Sequence, residues 1–213
     1  MSHPARVLLS REAIVDATLA IVVEDGLERV SLRRVAGALD VTAPALYAHV
    51  RDKQDLLRAV AEMAFGELLA RFEDVDESNP LDRVRAYSRV YVDFALDRPG
   101  LYRTMFLFPP DLSIGENTGR ELPIATSAFD LPGRAVDEAV AAGLLSPPDA
   151  DQAALTLWTS VHGVAEVLRL GFDLDDRARS ALLTSVLDTV LAGLGAPPDS
   201  SQAPARPAAQ SSA

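Results

Sequence analysis

Apolar residues recur every three to four positions along most of the chain and never alternate with polar ones for long, so the pattern predicts an all-α protein of about nine helices. Ser10 caps a first helix running to Asp25, with Ile14, Ala17 and Ile21 on one face and Gly26 at its end. Ser31 caps a short second helix, in which Leu32, Val35, Ala36 and Leu39 form an i, i+3, i+4, i+7 stripe. Thr42 caps a third, where Pro44 sits in the first turn and Leu46 and Val50 face inward. Asp52 opens a long fourth helix to about Glu73, with Asp55 three residues on as a capping-box partner.

Asp74–Pro80 is acidic and turn-like, and a fifth helix follows over Leu81–Asp97. Pro99 starts a short sixth that reaches Phe108. Residues 109–126 begin with two prolines, hold two glycines and show little periodicity, which predicts a loop, placed by that composition over a pocket entrance. A seventh helix is expected over Ser127–Ala142, kinked or delayed by Pro132 and stopped by Gly143. Asp149–Leu170 and Asp175–Leu194 complete the set. From residue 196 the Pro/Ala/Ser/Gln composition predicts a disordered tail, leaving domains at 1–55 and 56–195.

Nearly half of the 213 residues are hydrophobic, enough for a sizeable core, and no run of about 18 apolar residues exists to span a membrane. No secretory signal is evident in residues 1–9. The absence of cysteine excludes disulfides, thiol catalysis and cysteine-held zinc, and fits a reducing, cytoplasmic compartment. The net charge of −11 is unevenly spread: residues 1–58 hold eight Lys/Arg and eight Asp/Glu, so the whole excess lies beyond them. Such a body repels phosphate, so any contact with nucleic acid is confined to the N-terminal end. Of the twenty basic residues nineteen are Arg, which makes the single lysine, Lys53, the more informative.

The stretch Ser31–Lys53, SLRRVAGALDVTAPALYAHVRDK, places two short amphipathic helices around a tight turn at Leu39-Asp40-Val41. Small Ala36 allows close approach, and Asp40 stands where a left-handed residue is needed. On spacing alone this is either a helix-turn-helix or a hairpin within a bundle. The segment beyond the turn resembles the signature of the tetracycline-repressor (TetR) family: Leu46, Tyr47, His49 and Val50, then Asp52, Lys53 and Leu56. The resemblance is close from Ser10 to Val60. It implies an N-terminal three-helix DNA-binding domain, and a C-terminal helical bundle for ligand binding and dimerisation. It also implies that Tyr47, His49 and Lys53 contact phosphates, that Arg33 reaches a phosphate or groove edge, and that Thr42, Ala43, Pro44 and Ala45 read bases. That last set has few hydrogen-bonding groups, which favours thymine-methyl contacts and DNA shape. Tyr47 as a half-buried core residue, and His49 as an unpartnered surface histidine, are the plainer alternatives.

Residues 87–108 and 157–163 resemble one C-terminal subtype of the family, named for its Trp…His-Gly motif. Tyr102, Met105, Phe106, Phe108, Trp158 and His162 are the candidates to line an apolar effector pocket, the alternative being that they fill the core. Trp158, His162 and Glu166 share one helix face; a metal site would need a further ligand that cannot be named, and no cofactor is expected. Leu155, Val164 and Leu168, with Leu182, Val186 and Val190, exceed what one inward stripe requires. They are the candidates for a two-fold interface of two helices per subunit, the alternative being burial within the monomer. A homodimer would place two reading helices about 34 Å apart on a near-palindromic operator in double-stranded DNA.

A repressor released by a small-molecule effector is thus the expected function. An activator with the same head, and a helical interaction module without a DNA role, are the alternatives. An enzyme is disfavoured: there is no glycine-rich phosphate loop, and the histidines are only His3, His49 and His162.

Overall fold

The computed structural model describes residues 9–108 and 122–196. Within them lie α1 (Arg11–Asp25), a 3₁₀ turn (Leu27–Arg29), α2 (Leu32–Ala38), α3 (Ala43–Leu46), α4 (Lys53–Glu73), α5 (Pro80–Asp97), α6 (Pro99–Met105), α7 (Pro123–Ala141), α8 (Ala150–Leu168) and α9 (Asp176–Gly193), and no strand among the described residues.

Capping chemistry sets most of the starts. The Ser10 and Ser31 hydroxyls accept from the N–H groups of Ala13 and Arg34 at 3.2 Å each, and the Asp52, Asp149 and Asp175 carboxylates cap α4, α8 and α9 in the same way. The capping box expected at α4 is only half made. Asp55 does not reach back to Asp52; its carboxylate is taken by Arg11 and by the N–H of Arg51.

Helix α4 is the axis of the molecule. Leu56, Val60, Ala61, Ala64, Phe65, Leu68 and Phe72 bury more than one of its faces, because α1, α6 and α7 pack around it. A second layer follows, α5 against α7 and α8, and α8 against α9.

Three boundaries differ from the sequence expectation by two residues or more. The sixth helix ends at Met105 instead of Phe108, and α8 at Leu168 instead of Leu170. The seventh begins at Pro123, so residues 122–126 of the expected loop belong to the helix and its cap; residues 109–121 lie outside the described residues. Pro123 opens α7 because an N1 proline gives up only an N–H that has no intrahelical partner. Pro132 neither delays nor ends α7 but sits within it. Ala196 still packs against the core, and the rest of the expected tail, 197–213, lies outside the described residues, as does His3.

Candidate functional site

The N-terminal turn is built by the end of α2. Asp40 has φ 53°, the only positive φ of a non-glycine among the described residues. That geometry lets the N–H of Val41 return to the Ala36 carbonyl (3.0 Å) and the N–H of Asp40 to Gly37 (3.3 Å), the paired bonds of a Schellman motif. The chain turns over four residues, 39–42, and α3 packs against α2. On the resulting surface Arg33, Thr42, Pro44, Tyr47 and Lys53 are exposed, and Ala43, Ala45 and His49 are half-buried. Tyr47, 59% exposed, is not a core residue. The Thr42 hydroxyl does not cap α3, so the helix makes no use of it. Lys53 is the first residue of α4, where free backbone N–H groups also favour an anion.

An ion pair fixes this surface to the rest of the head. Both guanidinium arms of Arg11 donate to the Asp55 carboxylate at 2.9 Å, and Arg11 also donates to the His49 carbonyl at 3.4 Å. The Arg11 hydrogen bonds, helped by the N–H of Arg51 and opposed by burial, hold the Asp55 carboxyl down to about 2 from an ordinary 3.8. A depressed carboxyl stabilises the fold above its unfolded pKa and loses that effect as pH falls through its folded one. Asp55→Asn should therefore cost about 1–2 kcal/mol near pH 7, a range trimmed because Arg11 is half-exposed. The difference from the parent should vanish between about pH 4 and pH 2. Thermal unfolding across that window is the check, and a constant difference would show that the carboxylate charge plays no part.

The second feature is a cavity of about 560 Å³ in the body, within the size range of small-molecule sites. Helix α5 contributes Val84, Tyr87, Ser88 and Tyr91; α7 contributes Thr126, Phe129, Asp130, Pro132, Gly133 and Val136; α8 and its cap contribute Asp149, Asp151, Gln152, Leu155 and Trp158. Phe129 meets Trp158 edge-on at 5.5 Å. The Trp158 Nε1 is shut off from solvent and meets no acceptor in good hydrogen-bond geometry, although it lies near enough to Tyr91 to ease that phenol's ionisation.

Behind this wall His162 is sandwiched between Trp158 and Tyr102, with ring centroids at 5.3 and 5.9 Å. The hydroxyls of Tyr91 and Tyr102 both lie 2.8 Å from its Nδ1 and 3.3 Å from each other. Burial lowers the His162 pKa, with Glu166 opposing and Arg169 assisting. With Nδ1 of the neutral ring unprotonated, one phenol donates to it and the second donates to the first. Burial likewise raises both phenols above the usual tyrosine value. The triangle joins α5 and α8 to α6. Helix α6 in turn rests on α1, where Gly100 packs so closely that a Cβ there would lie 2.5 Å from the Val22 carbonyl oxygen.

Residues 14–60 match the bacterial regulatory proteins of the tetR family, and residues 84–190, half of the chain, match the tetracyclin repressor-like C-terminal domain. The chain belongs to the TetR family. An uncharacterized HTH-type transcriptional regulator of Mycobacterium tuberculosis is 26% identical over 91% of this chain and 84% of its own length. The class D tetracycline repressor of Escherichia coli is 39% identical over 31% of this chain and 28% of its own. A protein of unknown function from Rhodococcus sp. RHA1 shares the fold with a TM-score of 0.73, at 31% identity over 91% of this chain and 99% of that one. The chain is therefore a DNA-binding transcriptional regulator, and the names of its relatives describe regulators rather than enzymes.

The TetR-family body distributes its aromatic residues differently from the sequence expectation. Of the six expected pocket residues only Trp158 lines the cavity. Tyr102, Met105 and Phe108 are fully packed in the core, Phe106 lies edge-on to Tyr102 and His162, and His162 stands one ring behind the wall. The cavity takes Tyr87, Ser88 and Tyr91 instead, whose i, i+1, i+4 placement on one face of α5 was the available signal. The apolar residues expected at a two-fold interface divide among the core, the cavity wall and the half-buried surface. Val164 and Leu168 are buried within the protomer at 5% and 7% exposure, and Leu155 lines the cavity. Leu182, Val186 and Val190 are half-buried against the core, and the large apolar side chains left exposed nearby are Val167, Leu170 and Phe172. No helix of the described residues is long and apolar enough to cross a membrane.

Proposed function

We propose that this TetR-family regulator is a cytoplasmic homodimeric repressor that leaves its operator when a small-molecule effector occupies the cavity between α5, α7 and α8. The observation that carries this reading is the unbroken run of contacts from cavity to head. Tyr91, in the cavity wall, is hydrogen-bonded with His162 and Tyr102, and Tyr102 stands two residues from Gly100, which is wedged against α1. A ligand that displaces Tyr91 or Trp158 acts on α6, and so on α1 and the reading surface. By linkage the effector must then bind the DNA-free form more tightly than the bound one.

On the DNA side, Tyr47, His49 and Lys53 take phosphates, Arg33 a phosphate or groove edge, and Thr42 to Ala45 the base edges and thymine methyls. The pair Trp158 and His162-Gly163 supports assignment to the Trp…His-Gly subtype. The dimer forms through α8 and α9, with Val167 and the half-buried Leu182, Val186 and Val190 supplying the surface in place of the buried Val164 and Leu168. Selection from a pool of random duplexes by the purified protein tests the reading. Enrichment of a near-palindrome with half-sites about one turn, ~34 Å, apart is expected. A single unpaired half-site would exclude the symmetric dimer, and failure to enrich any sequence would exclude specific reading altogether.

A further inference from the structure

The cavity carries charge of one sign only. Asp130, Asp149 and Asp151 belong to its lining, all three exposed toward the rim, and no Lys, Arg or His is among the lining residues. Several cations of the body are engaged elsewhere, and Arg134, one helical turn from Asp130 in α7, is exposed and is not among the lining residues. Arg169 pairs with Glu166 at 2.8 Å and lies over the Tyr102 ring, Arg83 pairs with Glu138, and Arg85 with Asp188. Asp130 and Asp151 form no ion pair with a described residue, so their charge is open to a ligand. Inside the rim the surface is aromatic, with Tyr91, Phe129 and Trp158 in a contiguous edge-to-face cluster.

We infer that the effector is a compact apolar cation, its charge held among the aromatic rings and under the rim carboxylates. This rests on the proposed role of the cavity as the effector site. Aromatic faces carry negative quadrupole density and attract a cation, most of all where water is excluded. An anion entering the same space would leave its hydration shell for a few hydroxyls and meet three carboxylates. A neutral ligand of equal shape would gain no net charge attraction from Asp130 or Asp151. The two halves of the site are therefore matched: the rings supply apolar area and the rim supplies the counter-charge.

Trp158 is the only tryptophan of the chain, so intrinsic fluorescence reports directly on this wall. The full-length protein is titrated with tetraphenylphosphonium and with tetraphenylborate, which share shape and differ in sign. Benzyltrimethylammonium and 4-phenylbutyrate form a smaller pair. Within at least one pair the cation is expected to perturb Trp158 saturably, at least tenfold more tightly than the anion. Asp130→Asn with Asp151→Asn should weaken the cation about fivefold, while Asp16→Asn with Glu24→Gln, in α1, should leave it unchanged; melting curves confirm that both variants fold. Equal or tighter binding of the anions overturns the charge assignment and leaves the cavity as an effector site. A cation preference that survives neutralisation of Asp130 and Asp151 overturns the role of the rim. No perturbation of Trp158 by any of the four overturns both this inference and the effector site on which it rests.

Discussion

Lys53→Ala is expected to weaken operator binding by about 2 kcal/mol per dimer, close to thirtyfold, and to flatten the salt dependence of affinity by about two in slope. Each protomer would lose one phosphate contact. Because a cation on a phosphate releases a condensed counterion, the change should appear as a lower slope of log affinity against log salt as well as a lower affinity. The loss should be nearly uniform across operator variants, because phosphates carry no base identity. Tyr47→Phe separates ring from hydroxyl at the neighbouring position: a phosphate role predicts that removing the oxygen alone reproduces most of the Tyr47→Ala defect. Fluorescence anisotropy with a selected operator between about 50 and 200 mM salt checks both. A Lys53→Ala protein with an unchanged slope would remove Lys53 from the interface.

The second large effect is expected at Gly100. A methyl group there would lie 2.5 Å from the Val22 carbonyl oxygen and 3.2 Å from its Cγ1. The first contact is with backbone, so no rotamer change relieves it, and α6 must move away from α1. Overpacking of this kind costs about 2–3 kcal/mol, a fall in melting temperature of roughly 5–10 °C for a chain of this size. Gly66→Ala is the matched control, since a Cβ at Gly66 meets nothing within 4 Å inside α4. There helix propensity alone predicts a gain of about 0.5–1 kcal/mol. If the α6–α1 contact carries the effector signal, Gly100→Ala should also reduce ligand-driven release by more than it reduces operator affinity. A Gly100→Ala protein that melts with the parent would show that the two helices are not rigidly apposed.

The head was largely legible because most of its boundaries are written in side-chain chemistry, Thr42, whose hydroxyl does not cap α3, being the exception. Ser10, Ser31 and Asp52 cap where their positions predict, and Asp40 adopts the left-handed conformation that the turn requires. The start of α7 was missed because Pro123, preceded by a Gly- and Pro-containing stretch, reads equally as a breaker and as an N1 residue. The cavity wall was not foreseen for a different reason. Aromatic density at 102–108 marks where large side chains gather, but core and cavity wall have the same composition. Only the direction in which α5 and α6 face decides that Tyr91 lines the space and Tyr102 stands behind it. Surplus apolar surface on α8 was ambiguous in the same way, since Val164 and Leu168 satisfy it against their own protomer.

The partition of charge, a neutral head on an acidic body, also governs how quickly the operator is found. Many DNA-binding proteins are drawn to the duplex by their overall field, and salt slows their arrival. A protomer of net charge −11 is pushed away at long range and held only once the head is in place. Salt should therefore act in opposite directions on the two rate constants, quickening association by screening the body while shortening residence by competing at the phosphates. A regulator of this design searches without long electrostatic capture on unrelated sequence, and its selectivity resides in how slowly it departs.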